Sequence, residues 1–142
     1  MKKLFSLLVF LSLSFGVQAE QVKTIDSIDV HYSAFTSTFL TPEVAKAYRI
    51  KRSKYSAVLN ISVLDNSDPE KSAVPANITG TAKNLVGQIK QLHFREIRDG
   101  NAIYYITEVP FTDQEDYTFK VKVAAGKKGN GEVRFDQKFY VD

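Results

Sequence analysis

The stretch QIKQLHFREIRDGNAIYYITEVP, from Gln88 to Pro110, decides the fold class. Two runs rich in β-branched and aromatic residues flank Asp99-Gly100. That dipeptide suits a tight turn whose central residues need positive φ, which Gly supplies without a Cβ penalty. The stretch therefore predicts a central β-hairpin with strands near 89–97 and 102–109, and an all-β protein.

Outward from the hairpin, period-2 alternation recurs. Ile28, Val30 and Tyr32 share one face of a first strand, with Asp29, His31 and Ser33 on the other. Tyr55, Ala57, Leu59, Ile61 and Val63 form the apolar face of a second. A third runs from about Ala76 to Lys83, where the small residues at Gly80 and Ala82 suggest close approach by a neighbour. After the hairpin, Tyr117, Phe119, Val121 and Val123 alternate with Thr118, Lys120 and Lys122. The last strand places Val133, Phe135, Phe139 and Val141 on one face. Lysines on the wet faces of these last two strands discourage edge-to-edge aggregation. From residue 76 onward the strands begin roughly every 13–15 residues, the spacing of an antiparallel sandwich and not of a parallel α/β sheet. About seven strands are expected in a single immunoglobulin-like β-sandwich.

One connection reads as helical. Thr41 at the cap, Pro42 at the first helical position and Glu43 in the first turn are mutually consistent start signals. They predict a short helix in the first long connection, covering one end of a sheet. Two polar loops, Asp65–Ser72 and Phe111–Asp116, and the turn Gly126–Gly131 complete the chain.

The first 19 residues have a different character. A basic Lys2-Lys3 start, the apolar run Leu4–Val17 and small residues up to Ala19 predict a secretory leader cleaved before Glu20. The run is shorter than the about 20 residues a membrane-spanning helix needs. Residues 20–142 are then one exported domain, periplasmic, with no transmembrane segment once the leader is removed. The formal charge of +3 includes Lys2 and Lys3, so the remainder is nearly neutral. That argues against nucleic acid as a partner, which calls for a clustered basic face. The chain has no Cys, which excludes disulfides, thiol catalysis, thiolate metal sites and a lipid-anchored N-terminus. Stability must come from an apolar core, which 44% hydrophobic content can supply.

Several stretches together carry a resemblance: His31–Tyr48 (HYSAFTSTFLTPEVAKAY), Leu59–Leu64 (LNISVL), Gly80–Leu85 (GTAKNL) and Asp99–Ile106 (DGNAIYYI). The chain resembles a bacterial family of small exported proteins known only as a domain of unknown function, number 4426. The resemblance spans essentially all of residues 20–142. It implies a periplasmic immunoglobulin-like sandwich and brings no catalytic residues with it.

The chemistry legible in the residues is sparse. There are two His, His31 and His93. His31 lies two residues from Asp29 and from Ser33 on one strand face, roughly 6–7 Å apart by Cα, so a small hydrolase using His31 with Asp29 or Ser33 is one reading. Ordinary solvent-facing polar residues are the plainer one. His93 alternates with Gln91 and Arg95 as a polar hairpin face. Asp65, Asp68 and Glu70 lack the spacing and Gly of a calcium loop, and Gly129-Asn130-Gly131 opens no helix that would bind phosphate. No catalytic residue, metal ligand or cofactor is assigned. The better lead is aromatic: Tyr32, Phe35, Phe39 and Tyr48 cluster around the helical connection, and Tyr104 and Tyr105 point to opposite faces of one strand. An outward Tyr beside Arg95 or His31 suits a recognition patch for an envelope protein, a peptide or a glycan. The helix covering these rings as an end-cap of the core is the structural alternative. A non-enzymatic binding or accessory module is therefore the leading expectation. Strand addition at an open edge is one variant of it, and a structural subunit of an envelope complex is a further alternative. The oligomeric state stays open.

Overall fold

The computed structural model describes residues 20–141; the leader expected over 1–19 lies outside them. Nine strands form two antiparallel sheets. They are β1 Gln21–Ile25, β2 Ile28–Thr36, β3 Ser56–Asp65, β4 Asn77–Asn84, β5 Ile89–Leu92, β6 Arg95–Asp99, β7 Ala102–Pro110, β8 Glu115–Ala124 and β9 Asn130–Phe139. Among the described residues one α-helix, α1, spans Pro42–Ala47. The five-stranded sheet runs β1-β2-β3-β7-β6 and the four-stranded sheet β5-β4-β8-β9. The architecture is the all-β sandwich that the patterning predicts.

The core lies between the sheets, and the alternating residues fill it. Ile28, Val30, Leu59, Ile61 and Val63 from one sheet meet Tyr117, Phe119, Val121 and Val123 from the other, all buried. Aromatic rings close one end of it, with Phe119 stacked on Phe135 at 5.1 Å and Phe111 on Phe139 at 5.2 Å. Gly80 sits where β4 is sandwiched between β5 and β8. A Cβ there would lie 2.7 Å from the Lys120 carbonyl oxygen, so the close approach expected at this position is real.

Two strands exceed the expected seven, and each has a physical reason. β1 is an edge strand whose residues are nearly all exposed, so it has no apolar face to betray it. The run expected as one strand over 89–97 is two. β5 pairs with β4 in one sheet and β6 pairs with β7 in the other, the chain crossing between sheets at His93-Phe94. Leu92 and Phe94 pack on the core, and Glu96, exposed at the sheet edge, shares the face of its partner Tyr105, so the alternation runs unbroken through the crossing. Strands that switch sheets at a corner are a recognised feature of sandwiches. The hairpin turn also shifts by one residue. Asp99 pairs with Ala102, leaving Gly100-Asn101 as the central pair, and Gly100 alone of these has positive φ, +61°. Tyr55, expected on the inward face, lies before β3 and is 54% exposed.

The helix is placed differently from expectation. It does not cap an end of the core but lies on the outer face of the five-stranded sheet. A second hydrophobic cluster forms there, with Ala45 and Ile50 packed on Val58 and Ile106 and flanked by Phe35, Leu40, Tyr48, Ile97 and Tyr104. This explains why β3 and β7 carry apolar residues on both faces.

Candidate functional site

The connection from Ser37 to Ser53 is clamped at both ends. Buried Ser37 donates its hydroxyl to the Ser53 carbonyl at 2.9 Å and accepts from the Ser53 N–H at 2.8 Å. The Arg52 guanidinium donates to the carbonyls of Leu40 and Thr38. α1 begins as its sequence predicts, the Val44 N–H donating to the Thr41 hydroxyl at 3.2 Å. At its other end Arg49 adopts positive φ, 57°. The Arg95 guanidinium reaches across from β6 to donate to the carbonyls of Tyr48 at 2.9 Å and Arg49 at 3.1 Å, groups left without partners at a helix terminus. A third contact goes from Arg95 to Glu108 at 3.3 Å.

Because α1 covers only part of the outer face, the rest of that face is open. A groove of about 660 Å³ lies there. Its floor is His31 and Ser62, directly paired across β2 and β3. Tyr104 and Ala102 of β7 form one wall, and Glu70 and Lys71 of the loop after β3 form the other, with Glu20 above His31. The His31 Nδ1 lies 3.1 Å from a Glu20 carboxylate oxygen. Tyr104 packs on Tyr48, ring centroids 6.0 Å apart, and the Tyr48 hydroxyl donates to Asp99 at 3.2 Å. Partial burial raises the Tyr48 pKa above its ordinary value, and acceptance of its proton by Asp99 adds to the effect. Tyr48 is therefore a neutral donor that steadies the aromatic wall.

The eight residues expected at a recognition surface divide four ways. His31 and Tyr104 line the groove, and Tyr48 braces it. Phe35 and Phe39 sit together at the far side of α1, 5.6 Å apart, with Phe39 64% exposed. Arg95 is a clamp and not a free recognition group, because its guanidinium is occupied by the helix end. Tyr32 and Tyr105 face the opposite way. Tyr32 packs on Phe135 at 4.7 Å in the main core. Tyr105 is only 5% exposed, and its hydroxyl accepts from the Ala76 N–H at 2.9 Å and donates to Glu96 at 3.0 Å. The period-2 rule puts the two tyrosines on opposite faces, and the tertiary structure places Tyr105 inward and Tyr104 outward.

The hydrolase arrangement does not assemble. The Asp29 carboxylate accepts from Thr24 at 2.8 Å and from Asn66 at 3.3 Å and faces Lys71 at 3.8 Å, while His31 pairs with Glu20, and among the described residues no hydrogen bond joins Asp29 to His31. Those hydrogen bonds, Thr24 first, hold the Asp29 carboxyl below its usual range. No hydrogen bond joins Ser33 to His31 among the described residues, whereas a nucleophile and base need one. In the Asp65–Ser72 loop two of the three carboxylates are likewise already engaged. Asp65 accepts from Ser67 and pairs with Lys128 at 2.8 Å, and Asp68 accepts from Ser72 and the Glu70 N–H. No group of three or more His, Cys, Asp or Glu among the described residues is placed to hold a metal ion. Glu20, Lys71 and Ser62 were not singled out from sequence. Only the register between β2 and β3 and the bridge from Leu64 to Ala73 bring them to one groove.

The model of the Domain of unknown function (DUF4426) matches residues 22–142. The chain belongs to the DUF4426 family. A DUF4426 family protein from Pseudomonas aeruginosa PAO1, known by crystal structure, is 34% identical and superposes with a TM-score of 0.76, covering 89% of this chain and 98% of that one. Two structures of FetP from uropathogenic Escherichia coli strain F11 share the fold at lower identity. The copper-bound variant is 13% identical with a TM-score of 0.57, covering 85% of this chain and 95% of that one. The as-isolated protein, recombinantly expressed in the periplasm of E. coli, is 12% identical with a TM-score of 0.57, covering 84% and 93%. No curated protein matches in sequence. The DUF4426 sandwich is thus shared with proteins of very different sequence. No helix among its described residues is long and apolar enough to cross a membrane.

Proposed function

We propose that the protein is an exported, non-enzymatic binding module of the bacterial envelope, and that the groove between Tyr104 and Lys71 holds an extended peptide segment of an envelope protein. The observation that carries this reading is the groove itself. One half of the outer sheet face is sealed by α1, while the other half presents a polar floor and an aromatic wall that the main core does not use. Its volume of about 660 Å³ falls in the range of ligand sites, about 300–1,000 Å³. Tyr104 offers a flat apolar face, and the hydroxyl and imidazole of Ser62 and His31 offer donors and acceptors to a peptide backbone. Glu20, Glu70 and Lys71 give the groove charges of both signs, with which charged groups of the segment would pair.

Export is supported by the leader pattern before Glu20. The periplasmic expression of FetP, a protein of the same fold, is in keeping with it. Copper, held by the FetP variant, is not carried over, since the described residues gather no set of ligands for it. The non-enzymatic reading rests on the failure of Asp29, His31 and Ser33 to join.

The test is photocrosslinking in intact cells from Ser62 on the groove floor, with Lys122 on the opposite sheet as control. A specific protein adduct from Ser62 alone, lost in a folded His31→Ala/Tyr104→Ala variant, is the expected result. No adduct from Ser62, or equal adducts from both positions, overturns the proposal. The N-terminus of the periplasmic fraction should be Glu20; a protein confined to the cytoplasm refutes export.

A further inference from the structure

The four-stranded sheet carries a feature that neither its core nor the groove explains. The turn joining β4 to β5 exposes two consecutive aliphatic side chains at its tip, Leu85 at 83% and Val86 at 80%, with Ile89 at 59% beside them. Tight turns favour Gly, Asn and Asp, which tolerate water and unusual dihedrals; two aliphatics at a tip gain nothing from the fold. Nor can they collapse back. The Asn84 N–H donates to the Gln88 carbonyl at 3.0 Å and the Gly87 N–H to the Asn84 carbonyl at 3.1 Å. The Asn84 side-chain amide donates to Gln88 at 2.9 Å and Glu115 at 3.0 Å, while its oxygen accepts the Gln88 N–H at 2.9 Å. Gly87, at φ +88°, completes the turn. The apolar tip is thus held out by a polar knot at its base.

Cations stand directly behind it. The register places Thr81, Lys120 and Arg134 in one row across the outer face, and Lys83, Thr118 and Asp136 in the next. Lys83, Lys120 and Arg134 share a recess of about 370 Å³ with Leu85 and Ile89. Among the described residues none of these three cations has a carboxylate within ion-pair distance. The nearest acid in the two rows, Asp136, accepts a hydrogen bond from Thr118 at 2.7 Å. In a chain of nearly balanced charge this is a local excess.

We infer that this surface docks onto an anionic phospholipid bilayer, with Leu85 and Val86 entering the acyl boundary and Lys83, Lys120 and Arg134 meeting headgroup phosphates. A convex aliphatic wedge backed by unpaired cations is the arrangement interfacial binding requires, since apolar insertion and attraction to anionic lipid add. A soluble anion would use the cations and leave the wedge idle. A protein groove would use the wedge and leave three cations to be neutralised. The bilayer uses both. The inference is independent of the peptide groove, which lies on the other sheet.

The test is vesicle co-sedimentation of the purified protein, its N-terminus established by intact mass. Phosphatidylglycerol/phosphatidylcholine vesicles are compared with phosphatidylcholine alone. Each cation is expected to contribute about a fivefold gain in partitioning. Lys83→Gln/Lys120→Gln should therefore bind about 25-fold more weakly than wild type, and added salt should weaken wild type as screening predicts. Leu85→Ser/Val86→Ser, on an exposed tip where folding is unaffected, should lose at least about tenfold. Equal binding to both vesicle types, no binding to either, or unchanged binding of the tip variant overturns the inference. Binding abolished by free inorganic phosphate, with the tip variant unaffected, assigns the recess to a soluble anion instead.

Discussion

Replacing Arg95 with Met tests the clamp that holds α1 on the sheet. The substitution keeps most of the stem's volume and removes three contacts: two to the otherwise unpartnered carbonyls of Tyr48 and Arg49, and one to Glu108. The Arg95 and Glu108 side chains are 33% and 29% exposed, so the ion pair is partly screened and contributes little by itself. The carbonyl contacts are charge-assisted, each worth about 1.5–3 kcal/mol when buried. Allowing water to replace part of them, Arg95→Met should destabilise by about 2–4 kcal/mol. For a domain of this size that lowers Tm by about 6–15 °C. Thermal and urea unfolding followed by circular dichroism give the global number. Amide exchange over residues 37–50 should accelerate more than exchange in β8, because the second hydrophobic cluster loses its anchor while the main core keeps its own. Arg95→Lys should recover less than half, since an ammonium cannot reach both carbonyls and the carboxylate together. Glu108→Gln should cost under about 1 kcal/mol. A loss below about 0.5 kcal/mol for Arg95→Met, or full rescue by Lys, would refute the reasoning.

Three further outcomes are expected. Gly80→Ala should destabilise by about 1–3 kcal/mol in urea titration, because its Cβ would meet the Lys120 carbonyl oxygen at 2.7 Å and backbone must move; an unchanged midpoint would contradict the packing. Asp65 is held below the ordinary carboxylate range chiefly by the Lys128 hydrogen bond, and Asp68 by its bond to Ser72. Stability from both is complete above the ordinary carboxylate value of 3.8 and is lost as pH falls through their depressed folded values. Asp65→Asn should therefore flatten the acid limb of a stability–pH profile, and an unchanged limb would remove the assignment. Tyr117, buried with its hydroxyl donating to the Pro110 carbonyl at 2.8 Å, is pushed up to about 12 by burial and then by the Glu115 charge. Its contribution is complete below the unfolded value near 10 and lost as pH rises toward 12. Ultraviolet titration should show Tyr117 among the late-ionising tyrosines, with Tyr48 and Tyr105 also raised, and Tyr117→Phe should remove one from that late group.

The alternating strands were legible because their chemistry is local. Tyr117, Phe119, Val121 and Val123 read as one buried face and are one. Thr41-Pro42-Glu43 reads as a helix start and is one. β1 was illegible because an exposed edge strand needs no apolar face, and the β5–β6 crossing because alternation continues unchanged from one sheet to the other. Of the expected recognition residues, the sequence could say that Tyr104 and Tyr105 oppose each other but not which faced the core.

The sequence by itself determined the fold class, the alternation within most strands, the helix start and the family resemblance, since each is read along the chain without knowing which strands pair. Only tertiary structure decided what the outer faces do. The register of β2 on β3 and β3 on β7 places His31, Ser62 and Tyr104 in one groove. A clamp from a residue 46 or 47 positions away sets α1 beside it. The pairing of β4, β8 and β9 gathers Lys83, Lys120 and Arg134 behind Leu85. Those juxtapositions arise from pairings between distant segments, and a period-2 pattern carries no information about which strand lies next to which.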